Sequence, residues 1–451
     1  MQIPIPTDAR ARPLWRALLS YYVANGAAAA LGLLLISGAV HLVFGPVASA
    51  SASVGIICCI PPDQAAPKRG KFWHLLPALV VGVPLFLAVR LLHASPLALG
   101  LLLVPATFCA FLGAAWGKRG LPIAVSAMFA LVFALAVTQH GAQGTPLSST
   151  LAFAGGAAAY LLWATAANLL LNARYRVQML ADTLYAAAGL MRAQAAQFLA
   201  AAATPTRPLG EILRRQAALA DQLQAARDIL LESPRTPQRQ RLAGILMQVL
   251  DLRDHLLACE LDLDAVQDRH EHDDTLAALQ ALLRALADDV DALGDALLAG
   301  RLPAPQARRE PPRPPLESGA DGAATPSALL ARALSGRVGH VESEVARMVA
   351  LARGEAEPDL ALVRVVWQMF VSPADWSWRP LRKAWHWNAP PLRHALRAAL
   401  AIGTGYLVSI ALPWGSHAYW ILLTLVVVLR GSLAQTLERR NSRVAGTLLG
   451  C

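Results

Sequence analysis

Residues 17 to 62 contain no Asp, Glu, Lys or Arg. So long an uncharged stretch excludes an ordinary soluble opening domain, which would be about a quarter charged. Charge is scarce overall, at 16% against a hydrophobic share of 55%, and mean hydropathy is +0.43. Cysteine is sparse too. The five residues Cys58, Cys59, Cys109, Cys259 and Cys451 form no C-x-x-C pair and no metal spacing. That pattern excludes a disulfide framework and a cysteine metal site and leaves buried free thiols. There is no G-x-x-x-x-G-K-[ST] loop for a nucleotide. No nucleophile–base grouping stands out either, so no enzyme and no cofactor are expected. The formal charge of +10 would suggest nucleic acid in a soluble chain. Here the basic residues flank apolar runs, and membrane orientation accounts for them, with lipid rather than nucleic acid as the partner.

The apolar runs set the architecture. A bilayer needs about 20 apolar residues per helix, and Gly45-Pro46 divides the opening stretch into helices near 17–43 and 47–60. Further spans are expected near 72–92, 96–116, 121–138 and 148–171, separated by glycine, proline or charge. With the N-terminus inside, Arg10/Arg12/Arg16, Lys68/Arg69/Lys71, Lys118/Arg119 and Arg174/Arg176 all fall on the cytoplasmic side. The outer loops carry no Lys or Arg, as the positive-inside rule requires of six spans. Arg90 is the one formal charge within these spans. It lies close to the outer end, where an arginine either snorkels to the headgroups or marks a functional site. The small-residue faces around 27–32 and 155–159 suit close helix contact and need no ligand.

From about 174 to 388 the apolar residues fall at helical spacing instead. Leu276, Leu279, Leu283, Leu286, Val290, Leu293 and Leu297 are the longest such stripe, so a cytoplasmic helical bundle is expected. Asp268-Arg269-His270-Glu271-His272-Asp273-Asp274 is a tempting metal motif. On a helix, however, His270 and His272 point roughly 200° apart, so no metal is expected there. Residues 302–326, rich in proline and glycine, read as a disordered linker. Trp367, Trp376, Trp378, Trp385 and Trp387 then cluster with Arg379, Arg382 and Lys383, a composition suited to the lipid–water interface. The expected class is therefore all-α. It is a polytopic membrane protein with spans in 1–173, a cytoplasmic helical domain in 174–388 and a second membrane region in 389–451.

The second region carries the sharpest pattern. Tyr419 and Trp420 lead an apolar run, with a span near 394–412 before it. Thr436, Arg439 or Arg440, Arg443 and Thr447 then recur at three- and four-residue spacings, so they share a helix face that could guide an anion. The tyrosine–tryptophan pair, the Thr-x-x-Arg-x-x-x-Arg pattern, the closing Gly446-Thr447-Leu448-Leu449-Gly450 and the lead-in Leu392-Arg393-His394-Ala395-Leu396-Arg397 resemble the fusaric-acid-resistance-like family. That family groups aromatic acid exporters with YccS-type inner-membrane proteins. The resemblance implies ion-coupled export of small organic acids, with Arg439, Arg443, Thr436, Tyr419, Trp420 and Arg90 as candidate substrate-binding residues. Besides the lipid bilayer it implies a small organic anion as partner, a homo-oligomer and a membrane-fusion adaptor. It also implies further spans beyond this sequence in the second half. A passive anion channel and a membrane scaffold without transport are the competing readings.

Overall fold

The computed structural model describes residues 5, 10–68, 70–139, 144–200, 209–232, 236–266, 273–314, 326–359, 376–411, 418–429 and 433–450. Among them every regular element is helical: α1 (Ala11–Leu18), α2 (Tyr21–Cys59), α3 (Lys71–Leu92), α4 (Pro96–Leu112), α5 (Gly120–Gln139) and α6 (Pro146–Ala200). After these come α7 (Leu209–Leu230), α8 (Pro237–Val266), α9 (Asp273–Ala299), α10 (Pro326–Arg353), α11 (Arg379–Ala384), α12 (Pro390–Ala411), α13 (Ala418–Val428) and α14 (Leu433–Gly450). Six of these helices are long and apolar enough to cross a bilayer. The described residues form two compact units: residues 25–170 with 374–451, and residues 1–24 with 171–373.

In the first unit, α2 is kinked where expected. Gly45 has φ 82° and ψ 179°, and Pro46 follows. Only glycine adopts that φ without strain, and the proline removes a helical donor. The helix begins at Tyr21, not near 17, because a break at Leu19–Ser20 sets α1 apart. Proline at the first helical position starts α4 and α6, capped by Ser95 and Thr145. One core is built from α3, α4, α5, α12 and α13 around Phe86, Leu103, Phe111, Met128 and Ile402. A second joins α2, α3 and α6 through Ile56, Leu75, Ala157 and Tyr160. Here the small residues let two backbones meet. A Cβ on Gly55 would lie 2.2 Å from the Phe153 carbonyl oxygen, and one on Gly156 would lie 2.3 Å from that of Ala52. Trp378, Trp385 and Trp387 are exposed, while Trp116 donates to the Ser377 carbonyl at 2.9 Å. Trp367 lies outside the described residues.

The second unit is a helical assembly whose acidic residues are largely paired. Arg16 grips Asp295 with two hydrogen bonds of 2.7 and 2.8 Å and lies over the Tyr185 ring. Arg192 bridges Asp288 and Asp291. The leucine stripe of α9 from Leu276 to Leu293 is buried, as its periodicity requires. The linker differs from expectation. Residues 302–314 run extended against the helices: Arg309 pairs with Asp289, Ser335 bonds the Pro312 carbonyl, and Arg353 donates to the Pro303 carbonyl at 2.7 Å. Proline content misled here, because a proline-rich strand without internal hydrogen bonds can be ordered by its neighbours. Residues 315–325, and His270 and His272 of the tempting motif, lie outside the described residues.

Where α8 packs on α10, partial burial and the neighbouring Asp251 push the Glu344 carboxyl above the usual glutamate value. The folded state then binds that proton more tightly than the unfolded chain. This stability contribution is complete below the ordinary glutamate pKa and is lost as pH rises through the raised one. Amide exchange of α10, corrected for intrinsic rates, is therefore expected to quicken between mildly acidic and neutral pH in the natural chain and to change less in Glu344→Gln. In the membrane unit, Gly156→Ala is expected to cost about 1–3 kcal/mol by overpacking, outweighing the helix-propensity gain of about 1 kcal/mol. Gly155→Ala, whose Cβ meets nothing within 4 Å, is expected to keep that gain and be stabilising by up to about 1 kcal/mol. Thermal unfolding in detergent checks the pair.

Candidate functional site

Arg90 does not snorkel. It sits in the last turn of α3, where the helix dipole favours a cation, and only 5% of its surface is exposed. Its Nε donates to the Ser149 hydroxyl at 3.1 Å and Nη2 to the Gly144 carbonyl at 3.1 Å. Ser149 is placed by the Thr145–Pro146 start of α6, and its own hydroxyl bonds the carbonyls of Thr145 and Pro146. His93 Nδ1 is 2.8 Å from the Arg90 carbonyl. Among the described residues no carboxylate pairs with Arg90. Residues 25–170 hold a single acidic side chain, Asp63, and it is engaged elsewhere.

Arg90's two partners line a cavity of about 580 Å³ between α2 and α6. Ser148 lines it too, and the rest of its walls are apolar, from Val40, Phe44, Val47, Leu151, Gly155 and their neighbours. Phe44 and Leu151 are largely exposed, so the rim is apolar as well. The size suits a small organic molecule. A buried guanidinium behind a serine and a backbone carbonyl supplies a positive centre. An uncompensated buried charge is costly unless an opposite charge arrives, so the arrangement favours an anion with an apolar body. Gly155 was legible as a small residue for helix contact. Only the three-dimensional packing shows that Gly156 makes that contact and Gly155 opens onto the cavity.

A second, smaller cavity of about 280 Å³ lies among α4, α5, α12 and α13. His93, Thr138, Tyr406, Ser409 and Tyr419 give it a polar lining, and Tyr406 donates to the Pro96 carbonyl at 3.0 Å. Tyr419 thus reaches a cavity, whereas Trp420 is about half exposed. The carboxyl-terminal stripe is placed differently. Arg440 and Arg443 are exposed, Arg440 bonds Asn441, and Thr447 bonds the Arg443 carbonyl. Thr436 is half-buried on the same helix, and the Arg439 side chain lies outside the described residues. Neither cavity includes a residue of this stripe.

Sequence reasoning passed over one cluster altogether. Asp63, in the loop before α3, is 7% exposed. Its carboxylate pairs with Lys71 and accepts from the Tyr160 hydroxyl at 2.6 Å. Asn25 donates to its backbone carbonyl at 2.7 Å. In the sequence Lys71 reads only as a positive-inside loop residue, yet its side chain is 1% exposed. The available signal was Asp63 itself, a lone acid in a long tract without another.

Helices of this length and apolarity, with a paired helical region between the membrane segments, define a polytopic α-helical membrane protein. The chain matches a family model described as FUSC-like inner membrane protein yccS over residues 78–310, just over half its length. It matches a second, described as fusaric acid resistance protein-like, over residues 400–451. The chain belongs to the FUSC-like, YccS-type family of membrane proteins, a family broadly associated with small-molecule transport. A similar curated protein is the uncharacterized protein slr1298 of Synechocystis sp., 39% identical over 75 residues, or 16% of this chain and 10% of that protein. The matched stretch is thus a small part of the relative's length. No solved structure matches the chain.

If Arg90 serves an anion, it is not there to stabilise the fold. Arg90→Met is expected to shift Tm in detergent by less than about 3 °C, equivalent to about 1 kcal/mol. Phthalate, an aromatic dicarboxylate, is expected to raise the Tm of the natural chain and not that of the variant. A large drop in Tm would make Arg90 a structural tie.

Proposed function

We propose that this chain exports small organic anions, aromatic or other weak acids, across the inner membrane by ion-coupled secondary transport. The observation that carries this reading is the buried Arg90, with no acidic partner among the described residues and with both its hydrogen-bond partners lining an apolar cavity. Guanidinium suits a carboxylate, and the apolar walls suit a ring. Membership of a transport-associated family supports it. The loop charges support a cytoplasmic N-terminus and a cytoplasmic 174–388 region, which puts the Arg90 cavity at the outer face. Tyr419, beside the second cavity, would then stand along the route. The exposed arginines Arg440 and Arg443, with Arg439, would act at the inner face, drawing anions toward the route by their field. We read the chain as a carrier and not as an enzyme.

The test uses vesicles containing the full chain and loaded with labelled phthalate. Gly155→Leu, which fills the cavity without meeting a neighbour's backbone, and Arg90→Gln are each expected to slow release about tenfold or more, the scale of a lost charged hydrogen bond. Arg443→Ala is expected to slow it less. Release abolished by Arg443→Ala but untouched by the other two would move the site to the carboxyl-terminal stripe. Release that ignores every ion gradient would make the protein a passive channel.

A further inference from the structure

We propose that Asp63 is the residue whose protonation couples transport to a proton gradient, with Lys71 as the partner it holds and releases. The inference rests on the transport reading above and adds to it a second site, at the other end of α3. Lys71 opens that helix and Arg90 nearly closes it. Nineteen residues at 1.5 Å each separate them by about 28 Å, close to the thickness of a bilayer's hydrocarbon core.

Three helices converge on Asp63. Lys71 comes from α3, Tyr160 from α6 and Asn25 from α2. Cys59, at the end of α2, is its electrostatic neighbour. Cys58 beside Cys59, Lys68 and Arg69 shortly before α3, and His74 one turn along it are further titratable or charged groups of this stretch. A buried ion pair is seldom more stabilising than apolar side chains of the same volume, because both ions must be desolvated. In a tract otherwise free of acids, its presence calls for a role that apolar contacts could not fill. Protonation supplies one. When the carboxylate takes a proton it becomes a neutral acid, and the ammonium of Lys71 loses its counter-charge inside the protein. Its remaining bond, to the Gln64 carbonyl of the loop, does not replace that charge, so the ammonium turns toward water and the tie joining α3 to α6 through Asp63 opens. Helices α2 and α6 wall the Arg90 cavity, so a change in how they meet at one end alters the cavity at the other. Loss of the proton restores the carboxylate and the pair.

The neighbours leave no place for a metal cation. Lys71, the Tyr160 hydroxyl and the Asn25 amide all present hydrogens toward Asp63 or its backbone. No second carboxylate joins them, and no group of three His, Cys, Asp or Glu side chains suited to a metal assembles among the described residues. A bound cation needs several oxygens instead.

The experiment reconstitutes the full chain, Asp63→Asn and Asp63→Glu in vesicles. It compares exchange of labelled phthalate at equal pH with its accumulation against a gradient under a pH difference. Asp63→Asn is expected to keep exchange within about threefold while losing gradient-driven accumulation about tenfold or more, a span typical of a coupling free energy between two sites. Asp63→Glu is expected to restore part of the accumulation. Accumulation by Asp63→Asn equal to that of the natural chain would overturn the proposal. So would equal loss of exchange and accumulation, which would mark the pair as a structural tie. Vesicles in which even the natural chain neither exchanges nor accumulates phthalate would refute the transport reading. The proton-binding role is then decided separately by infrared difference spectra between about pH 5.5 and about pH 8, a range within which ordinary carboxylates stay ionised. A carboxyl band present in the natural chain and missing in Asp63→Asn supports it, and its absence from the natural chain refutes it.

Discussion

The contact of α2 with α6 governs the membrane unit. Two glycines, Gly55 and Gly156, bring the backbones so close that a methyl group on either would strike a carbonyl oxygen of the other helix. Trp163 adds a hydrogen bond to the Ala28 carbonyl at 2.9 Å. Within a bilayer no hydrophobic force separates helix from lipid, so association depends on close van der Waals packing and interhelical hydrogen bonds. The Arg90 and Asp63 clusters border that contact. Ser149 is at one end of it, and Tyr160, which holds Asp63, is further along α6.

The kink at Gly45 and Pro46 lies in the same helix pair, and Phe44 and Val47 on either side of it line the larger cavity. At Gly45 the two halves of α2 fold back on each other, with Ser49 donating to the Ser37 carbonyl at 2.9 Å and Asn25, near the start, reaching the Asp63 carbonyl beyond the end. The cavity lies where this turn faces the start of α6. Local sequence chemistry, a positive φ followed by a missing donor, thus becomes a cavity only because a second helix stands opposite.

Charge is distributed by the same logic in both units. In the 171–373 unit the carboxylates of α9 meet Arg16, Arg192 and Arg309, so burial is matched by pairing. In the membrane unit acids are almost absent. Lys71 takes the one available within residues 25–170, and Arg90 is left with a hydroxyl and a carbonyl. A cation in that setting is energetically incomplete, which distinguishes it from the many arginines whose partners are in the chain.

The sequence by itself determined the class and the elements. Apolar runs long enough to span lipid, broken by glycine and proline, place α2 to α5, the start of α6 and α12 to within a few residues, because backbone groups in a bilayer must bond within their own helix. Helix α6 itself continues to Ala200, well past the expected end of its apolar run near 171. The leucine stripe of α9 likewise announced a buried face. It did not show which way Arg90 turns, since snorkelling and inward burial use the same rotatable chain. Nor did it show that 302–314 is held along the helices, because those contacts come from residues tens of positions away. Asp63 was visible as a letter but not as a site, for its partners Lys71 and Tyr160 are 8 and 97 positions distant. Periodicity and composition are local quantities, and they fixed what is local. Where a buried charge finds its partner is a property of helices meeting, and only the tertiary structure decided it.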